Sequence, residues 1–284
     1  MQTAISELPL ALFTTFVLIG AGAFAFQSLV ALVSAPEQGK DAKGFSAATI
    51  APLALVIVGF ICAFAHLANP LNAPFALMGV GSSPMSNEIA MGSLFTVVAL
   101  VFVILDAMGK LQGAARKVFN VALLVLGVLF ALFTGLAYYV ETIISWGMAY
   151  TVLETVGLSL FAGGVLGAFL VKYQSDEALS AGSARAIAFV FVIGGAVVAL
   201  AALMLHASAV SGFETVLFSG AAIVSAATPA FACAVVCGVV AVVCACVGIA
   251  KDAKWALPAA CVFALVAVFF ARLAFYAIQL SVAL

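Results

Sequence analysis

The chain has 284 residues, 67% of them hydrophobic and only 7% charged, with a formal net charge of −1. A water-soluble globule of this length needs far more polar surface, so that class is excluded. The net charge carries no signal for nucleic acid, and no such partner is expected; the informative quantity is how charge is sorted along the sequence.

A bilayer core of roughly 30 Å takes about 20 apolar residues in helix. Eight runs reach that length, at 8–34, 47–68, 88–109, 116–139, 148–171, 185–206, 227–249 and 256–280. Backbone groups in lipid must bond within their own segment, so the runs read as helices. The expected fold is an all-α integral membrane protein with eight transmembrane helices. The first run has no positive flank and is too long for a signal peptide, so it is expected to remain as the first span.

Nine of the ten Lys and Arg residues fall in every second gap between these runs. The basic gaps hold Lys40 and Lys43; Lys110, Arg116 and Lys117; Lys172 and Arg185; Lys251 and Lys254. Cytoplasmic loops accumulate Lys and Arg, so these four gaps are placed inside and both termini outside. Inner loops such as 34–46 and 173–184 read as short connectors. Two outer loops, 69–87 and 207–226, are longer and mostly uncharged, and are expected to pack on helix ends or on a docked partner.

Helices 1–4 and 5–8 run in the same order of directions. His66 ends helix 2 and His206 ends helix 6, each before a long outer loop. The single membrane domain, 1–284, is therefore expected to divide into two four-helix bundles, 1–140 and 141–284, related as parallel repeats. Gly163 and Gly167 make a GxxxG spacing, with Gly194 and Gly195 further on, and small residues of this kind let helix backbones approach in lipid. The six cysteines lie inside helices with no CxxC spacing. They read as packing residues, so no iron–sulfur cluster is expected in this protein.

Ionisable groups in lipid are costly and are functional candidates for that reason. The outer side carries Glu7, His66, Glu88, Glu141, Glu154, His206, Glu214 and Arg272. The inner carboxylates, Glu37, Asp41, Asp106, Asp176, Glu177 and Asp252, lie among Lys and Arg and read as solvated charges. Arg272 falls in the outer half of the last span, where an unpaired Arg costs at least ~2.5 kcal/mol. A carboxylate partner is expected, with Glu7, Glu88 and Glu154 nearest in depth. That pair either locks helices or fixes a proton-handling carboxylate or a ligand oxygen. His66 stands at the membrane boundary, where an imidazole can bond a quinol hydroxyl and take its proton, or can cap a helix end. Glu88 opens helix 3 after Ser86-Asn87, either as a dipole-favoured carboxylate or as a second proton acceptor facing His66. Tyr138, Tyr139, Trp146, Tyr150 and Tyr276 read mainly as an interfacial belt. Tyr276, one turn beyond Arg272, can share its face.

The segment His66-Leu67-Ala68-Asn69-Pro70 through Ser83-Pro84-Met85-Ser86-Asn87-Glu88-Ile89 resembles the membrane anchor subunits of dimethyl sulfoxide reductase-type complexes. Glu7-Leu8-Pro9-Leu10 resembles that family's first-helix start, and Arg272 with Phe275-Tyr276 its last helix. At Met78-Gly79 the sequence departs from the pattern, where relatives often carry Arg. The resemblance implies a subunit without haem in the bacterial cytoplasmic membrane. It would oxidise menaquinol and pass two electrons to a four-cluster ferredoxin-like iron–sulfur subunit feeding a molybdopterin catalytic subunit. His66 and Glu88 are then the expected catalytic residues, and His66, Glu88, Arg272, Tyr276 and Glu7 the expected quinol-binding set. No metal site is expected. Two alternatives stay open: a haem b cytochrome subunit using His66 and His206 as axial ligands, and a secondary transporter.

Overall fold

The computed structural model describes residues 6–33, 42–67, 70–140, 143–174, 179, 182–215, 219–251 and 253–280; the side chains of 42–47, 66, 70 and 71 lie outside that description. Among these residues, eight helices are long and apolar enough to cross a membrane. They are α1 (Leu8–Val33), α2 (Ala42–His66), α3 (Pro84–Ala107), α4 (Gly113–Ala137), α5 (Ala149–Gln174), α6 (Gly182–Ser211), α7 (Gly220–Ala250) and α8 (Ala256–Ala277). The protein is an all-helical, multi-pass membrane protein. The positions of Lys40, Glu37, Asp41, Glu141, Asp176, Glu177 and Asp252 lie outside the described residues.

α1 and α5 form the centre. In their apolar windows 72% and 67% of residues are buried, against 33–44% in the other six helices. Small residues make this possible. Gly22 lies so close to Ser159, and Gly163 to Gly22, that a Cβ at either glycine would collide with backbone. The Ser159 hydroxyl donates to the Leu18 carbonyl at 2.8 Å and cross-links the two helices. Gly167 meets the Phe26 ring, so the GxxxG pair packs helices as expected. Gly195 approaches the backbone of α5 at Phe161, whereas Gly194 faces open space.

Around this axis α1 packs against α2 and α4, with α3 against α2 and α4. On the other side α5 packs against α6 and α8, with α7 against α6 and α8. At the basic end the Lys172 ammonium donates to the Gly248 carbonyl at 2.9 Å and to that of Lys251 at 3.3 Å, tying α5 to the last turn of α7. Asp106 is buried there and ion-paired to Arg116, which folds back over the turn between α3 and α4. It is therefore not the solvated charge that its loop position suggests.

Several boundaries differ from the sequence reading. α3 begins four residues earlier, at Pro84, because Ser83 caps it by accepting from the Ser86 N–H at 3.4 Å and Pro84 suits the first helical turn. Glu88 is thus inside the helix rather than at its opening. α7 begins at Gly220, capped by Ser219, and carries Pro229 in its interior. With α6 running to Ser211, the expected long loop 207–226 is reduced to the stretch 212–219, where the Ser219 hydroxyl donates to Glu214 at 2.8 Å. α6 also contains a π-helical turn at Val190–Gly194. The other long connection, 69–87, holds a 3-10 helix over Pro70–Gly79. It turns through Gly81, whose φ of 90° suits glycine and whose N–H donates to the Asn87 side chain at 2.7 Å.

Candidate functional site

A buried polar cluster lies at the end of the bundle away from the basic turns. Its centre is Arg272, fully buried on α8. One guanidinium nitrogen donates to Glu154 Oε1 of α5 at 3.1 Å, and Nε donates to the Thr14 hydroxyl of α1 at 3.1 Å. Thr14 in turn donates to the Leu10 carbonyl at 2.9 Å, so the guanidinium reads the end of α1 as well as α5. Of the three carboxylates expected as partners, the structure selects Glu154. Removing two charges from water without pairing is prohibitive in this setting, and the pair with its added hydrogen bonds offsets that cost.

Aromatic rings enclose the guanidinium. Its carbon lies 4.2 Å from the Phe275 ring centroid, 5.2 Å from Tyr138 and 5.3 Å from Tyr276. The two tyrosine hydroxyls bond each other at 2.5 Å, and Trp146 stacks on Phe275. Tyr138 and Tyr276 are therefore interior groups around a cation: Tyr276 shares the Arg272 face as expected, Tyr138 is not the belt residue that its position in the sequence suggests, and Trp146 is partly buried against Phe275. Tyr139 is 48% exposed beside the 7% exposed Tyr138, so the two neighbours face opposite ways.

His206 of α6 completes the cluster on one side. Its Nε2 lies 2.6 Å from the Ser145 carbonyl, which can only accept, so Nε2 carries the hydrogen. Nδ1 faces Glu154 Oε2 at 3.8 Å. The Ser145 hydroxyl also accepts from the Leu280 N–H at 2.9 Å, which pins the turn before α5 between α6 and the end of α8.

Glu88 stands on the other side. It is buried on α3, beside Thr134 of α4 and within electrostatic reach of Arg272 and Tyr138. Glu88 Oε1, the Thr134 hydroxyl, Glu154 Oε2, His206 Nδ1 and one Arg272 nitrogen have no hydrogen-bond partner. Such orphaned atoms cost free energy when dry, so this concentration marks a place for water or a polar ligand.

The structure thus brings Glu88, Arg272 and Tyr276 into one cluster. Glu7 stands at the start of α1, half-buried and about two turns before Thr14 on the same face. His66 ends α2; its side chain lies outside the described residues. Thr14, Thr134 and Ser145 escape sequence reasoning, because an isolated hydroxyl in an apolar run carries no signal until its partner is known. Above the cluster, the connection from α2 to α3 shows bare apolar side chains: Phe75 is 65% exposed, Met78 81% and Val80 52%.

Eight apolar helices with a buried polar cluster at one end define a multi-pass membrane protein with a polar interior site. Residues 1–278 match the family described as DMSO reductase anchor subunit (DmsC), and the protein belongs to that family. It is 31% identical over 173 residues to the C subunit of anaerobic dimethyl sulfoxide reductase from Haemophilus influenzae, covering 61% of this sequence and 60% of that one. It is 33% identical over 168 residues to the C subunit of the Escherichia coli enzyme, covering 58% and 57%. It is 34% identical over 118 residues to YnfH, a further anaerobic dimethyl sulfoxide reductase subunit of Escherichia coli, covering 42% of each. The matched stretches therefore span about 40–60% of these relatives' own lengths.

Proposed function

We propose that this protein anchors a molybdopterin oxidoreductase complex in the bacterial cytoplasmic membrane and oxidises menaquinol. It passes the two electrons to a four-cluster ferredoxin-like iron–sulfur subunit on the outer side, which feeds the molybdopterin catalytic subunit. The family and the names of its relatives support a reductase of the dimethyl sulfoxide type. The observation that carries the quinol reading is Glu88: a buried carboxylate with an unpartnered oxygen, one helical turn beneath an exposed apolar connection.

Oxidation of a quinol releases two protons and two electrons, and needs acceptors for both. Glu88 takes one hydroxyl proton, and His66, at the end of α2, takes the other. Arg272 and Tyr276 hold the polar side of the pocket, with Glu7 at its edge. The electrons leave toward the nearest iron–sulfur cluster of the partner seated on the 70–85 segment, whose apolar side chains would otherwise face water. Both termini lie outside and the basic turns inside. The protein divides at about residue 140 into two four-helix bundles, a reading supported by the matching packing order of α1–α4 and α5–α8. As for the haem b reading, His206 counts against it as an axial ligand, because one ring nitrogen is held by Ser145 and the other faces Glu154.

The test compares two electron sources in the intact complex. His66→Ala and Glu88→Gln should each lower reductase activity with a menaquinol analogue by about 100-fold or more, the range for losing a general base. Activity with a reduced viologen, which bypasses the membrane subunit, should be retained. Unchanged quinol activity in both variants overturns the assignment.

A further inference from the structure

We propose that Thr134 of α4 is the positioning residue of Glu88: its hydroxyl holds the carboxyl in place and serves as its partner both before and after proton uptake. This rests on Glu88 being the quinol's proton acceptor. Thr134 is fully buried, and its hydroxyl has no hydrogen-bond partner. A helical threonine can return its hydroxyl to a carbonyl three or four residues back. Thr14, Thr15, Thr96, Thr155 and Thr228 all do so, at 2.7–3.4 Å. Thr134 leaves the Phe130 carbonyl unused. Its hydroxyl stands instead beside the Glu88 carboxyl of α3, whose Oε1 is also unpartnered. The two orphaned groups are complementary, because one can donate and the other can accept.

The register of α3 and α4 puts them side by side. Gly92 lies one turn inward of Glu88, and Phe130 lies one turn inward of Thr134. A Cβ on Gly92 would come within 2.6 Å of the Phe130 ring, so glycine is what lets that ring seat against α3. The same ring stacks on Phe60 of α2, with 6.0 Å between centroids and 8° between planes. Phe130 is thus anchored from two helices, and it holds Thr134 level with Glu88. The chemistry suits the task. Glu88 must accept a proton, hold it and give it up. A cation bonded to it would favour the ionised form alone, and Arg272 bonds Glu154 and Thr14 instead. An apolar neighbour would leave a buried oxygen unmet. A hydroxyl donates to the carboxylate, then accepts from the carboxylic acid once the proton has arrived.

The test measures oxidation of menadiol, a naphthoquinol, by the intact complex carrying Thr134→Val, Thr134→Ser or Glu88→Gln. Each rate is normalised to the reduced-viologen rate of the same preparation, so that differences in assembly drop out. Thr134→Val keeps the shape and loses the hydroxyl; Thr134→Ser keeps the hydroxyl and loses a methyl. Thr134→Val should lower kcat about ten-fold or more, the size of a hydrogen bond to a charged group, with KM within about two-fold. Thr134→Ser should stay within about three-fold of the unsubstituted protein. A residue that only packs gives the opposite order, since valine fills the same space and serine leaves a gap. Should Thr134→Val assemble poorly, Thr134→Ala removes the same hydroxyl and should fall below Thr134→Ser. Adding Thr134→Val to Glu88→Gln should cost nothing further, because Thr134 acts through Glu88. If Thr134→Val keeps the full rate, or Thr134→Ser falls as far, the proposal is overturned; loss of quinol activity in Glu88→Gln then leaves the quinol reading standing. Quinol activity retained in Glu88→Gln overturns both.

Discussion

Arg272 of α8 and Glu154 of α5 form a fully buried ion pair, 3.1 Å between nitrogen and oxygen, across 118 residues of sequence. The pair joins the last helix to the central one. With Thr14 it also reaches α1, so three helices meet on one guanidinium.

Breaking such a pair from one side leaves a bare charge in an apolar interior. Glu154→Ala or Arg272→Ala should each destabilise the protein by about 3–5 kcal/mol. The apolar double replacement Glu154→Leu with Arg272→Met should recover most of that loss. Unfolding of the four proteins in one detergent checks this; additive losses would show that the pair does not act as a unit.

The Tyr138–Tyr276 hydroxyl pair tests whether the aromatic box is a polar network or only packing. Tyr138→Phe leaves the buried Tyr276 hydroxyl without that bond and should cost about 1–3 kcal/mol. Adding Tyr276→Phe should cost little more, or restore stability. A second loss as large as the first would mean that each hydroxyl has its own independent role.

Much of this architecture is legible in the sequence, because lipid imposes a length and a composition on every span. The eight helices, the glycine contact at Gly163 and the need of Arg272 for a carboxylate all follow from that rule. Three things are hidden. Helix starts depend on caps, and Ser83 with Pro84 moves the start of α3 by a full turn. Tyr138 and Tyr139 are adjacent and chemically identical, and only their opposite facing separates an interior ring from a surface one. The choice of Glu154 over Glu7 and Glu88 depends on which helices touch, which no spacing within one helix reveals.

The contact between α1 and α5 leaves no room for a side chain. Gly163→Leu should therefore cost about 3 kcal/mol or more, at the high end of overpacking. Gly194→Ala, in open space on α6, should cost nothing measurable. Thermal unfolding of both in the same detergent checks the contrast, and equal stability would refute the close approach.

Phe75→Lys and Met78→Lys should leave the isolated protein as stable as before, within about 0.5 kcal/mol, since both sites are surface-exposed. In cells they should lower recovery of the iron–sulfur subunit with the membrane subunit by about ten-fold, the equivalent of roughly 1.4 kcal/mol of docking energy. Normal recovery would mean that the partner sits elsewhere.

Reporter fusions test orientation directly. A C-terminal alkaline phosphatase should be active and a C-terminal green fluorescent protein dark. Fusions after Lys110 and Lys254 should show the opposite. The reverse result would invert the placement of both the cluster and its partner.

The central seam between α1 and α5 also sets a timetable. The Ser159 hydroxyl closes on the Leu18 carbonyl from 141 residues further along. At about 5–20 residues per second of synthesis, the first helix spends roughly 7–28 s in the membrane before its partner emerges. Throughout that interval Gln27, Ser28 and the small-residue face of α1, all buried in the finished protein, have only lipid, earlier helices or the insertion machinery to rest against. A ribosome that stalls between α4 and α5 therefore strands a nascent polypeptide without its keystone. Such products are natural clients for membrane quality control, and their turnover should rise sharply with any delay placed in that stretch of the message.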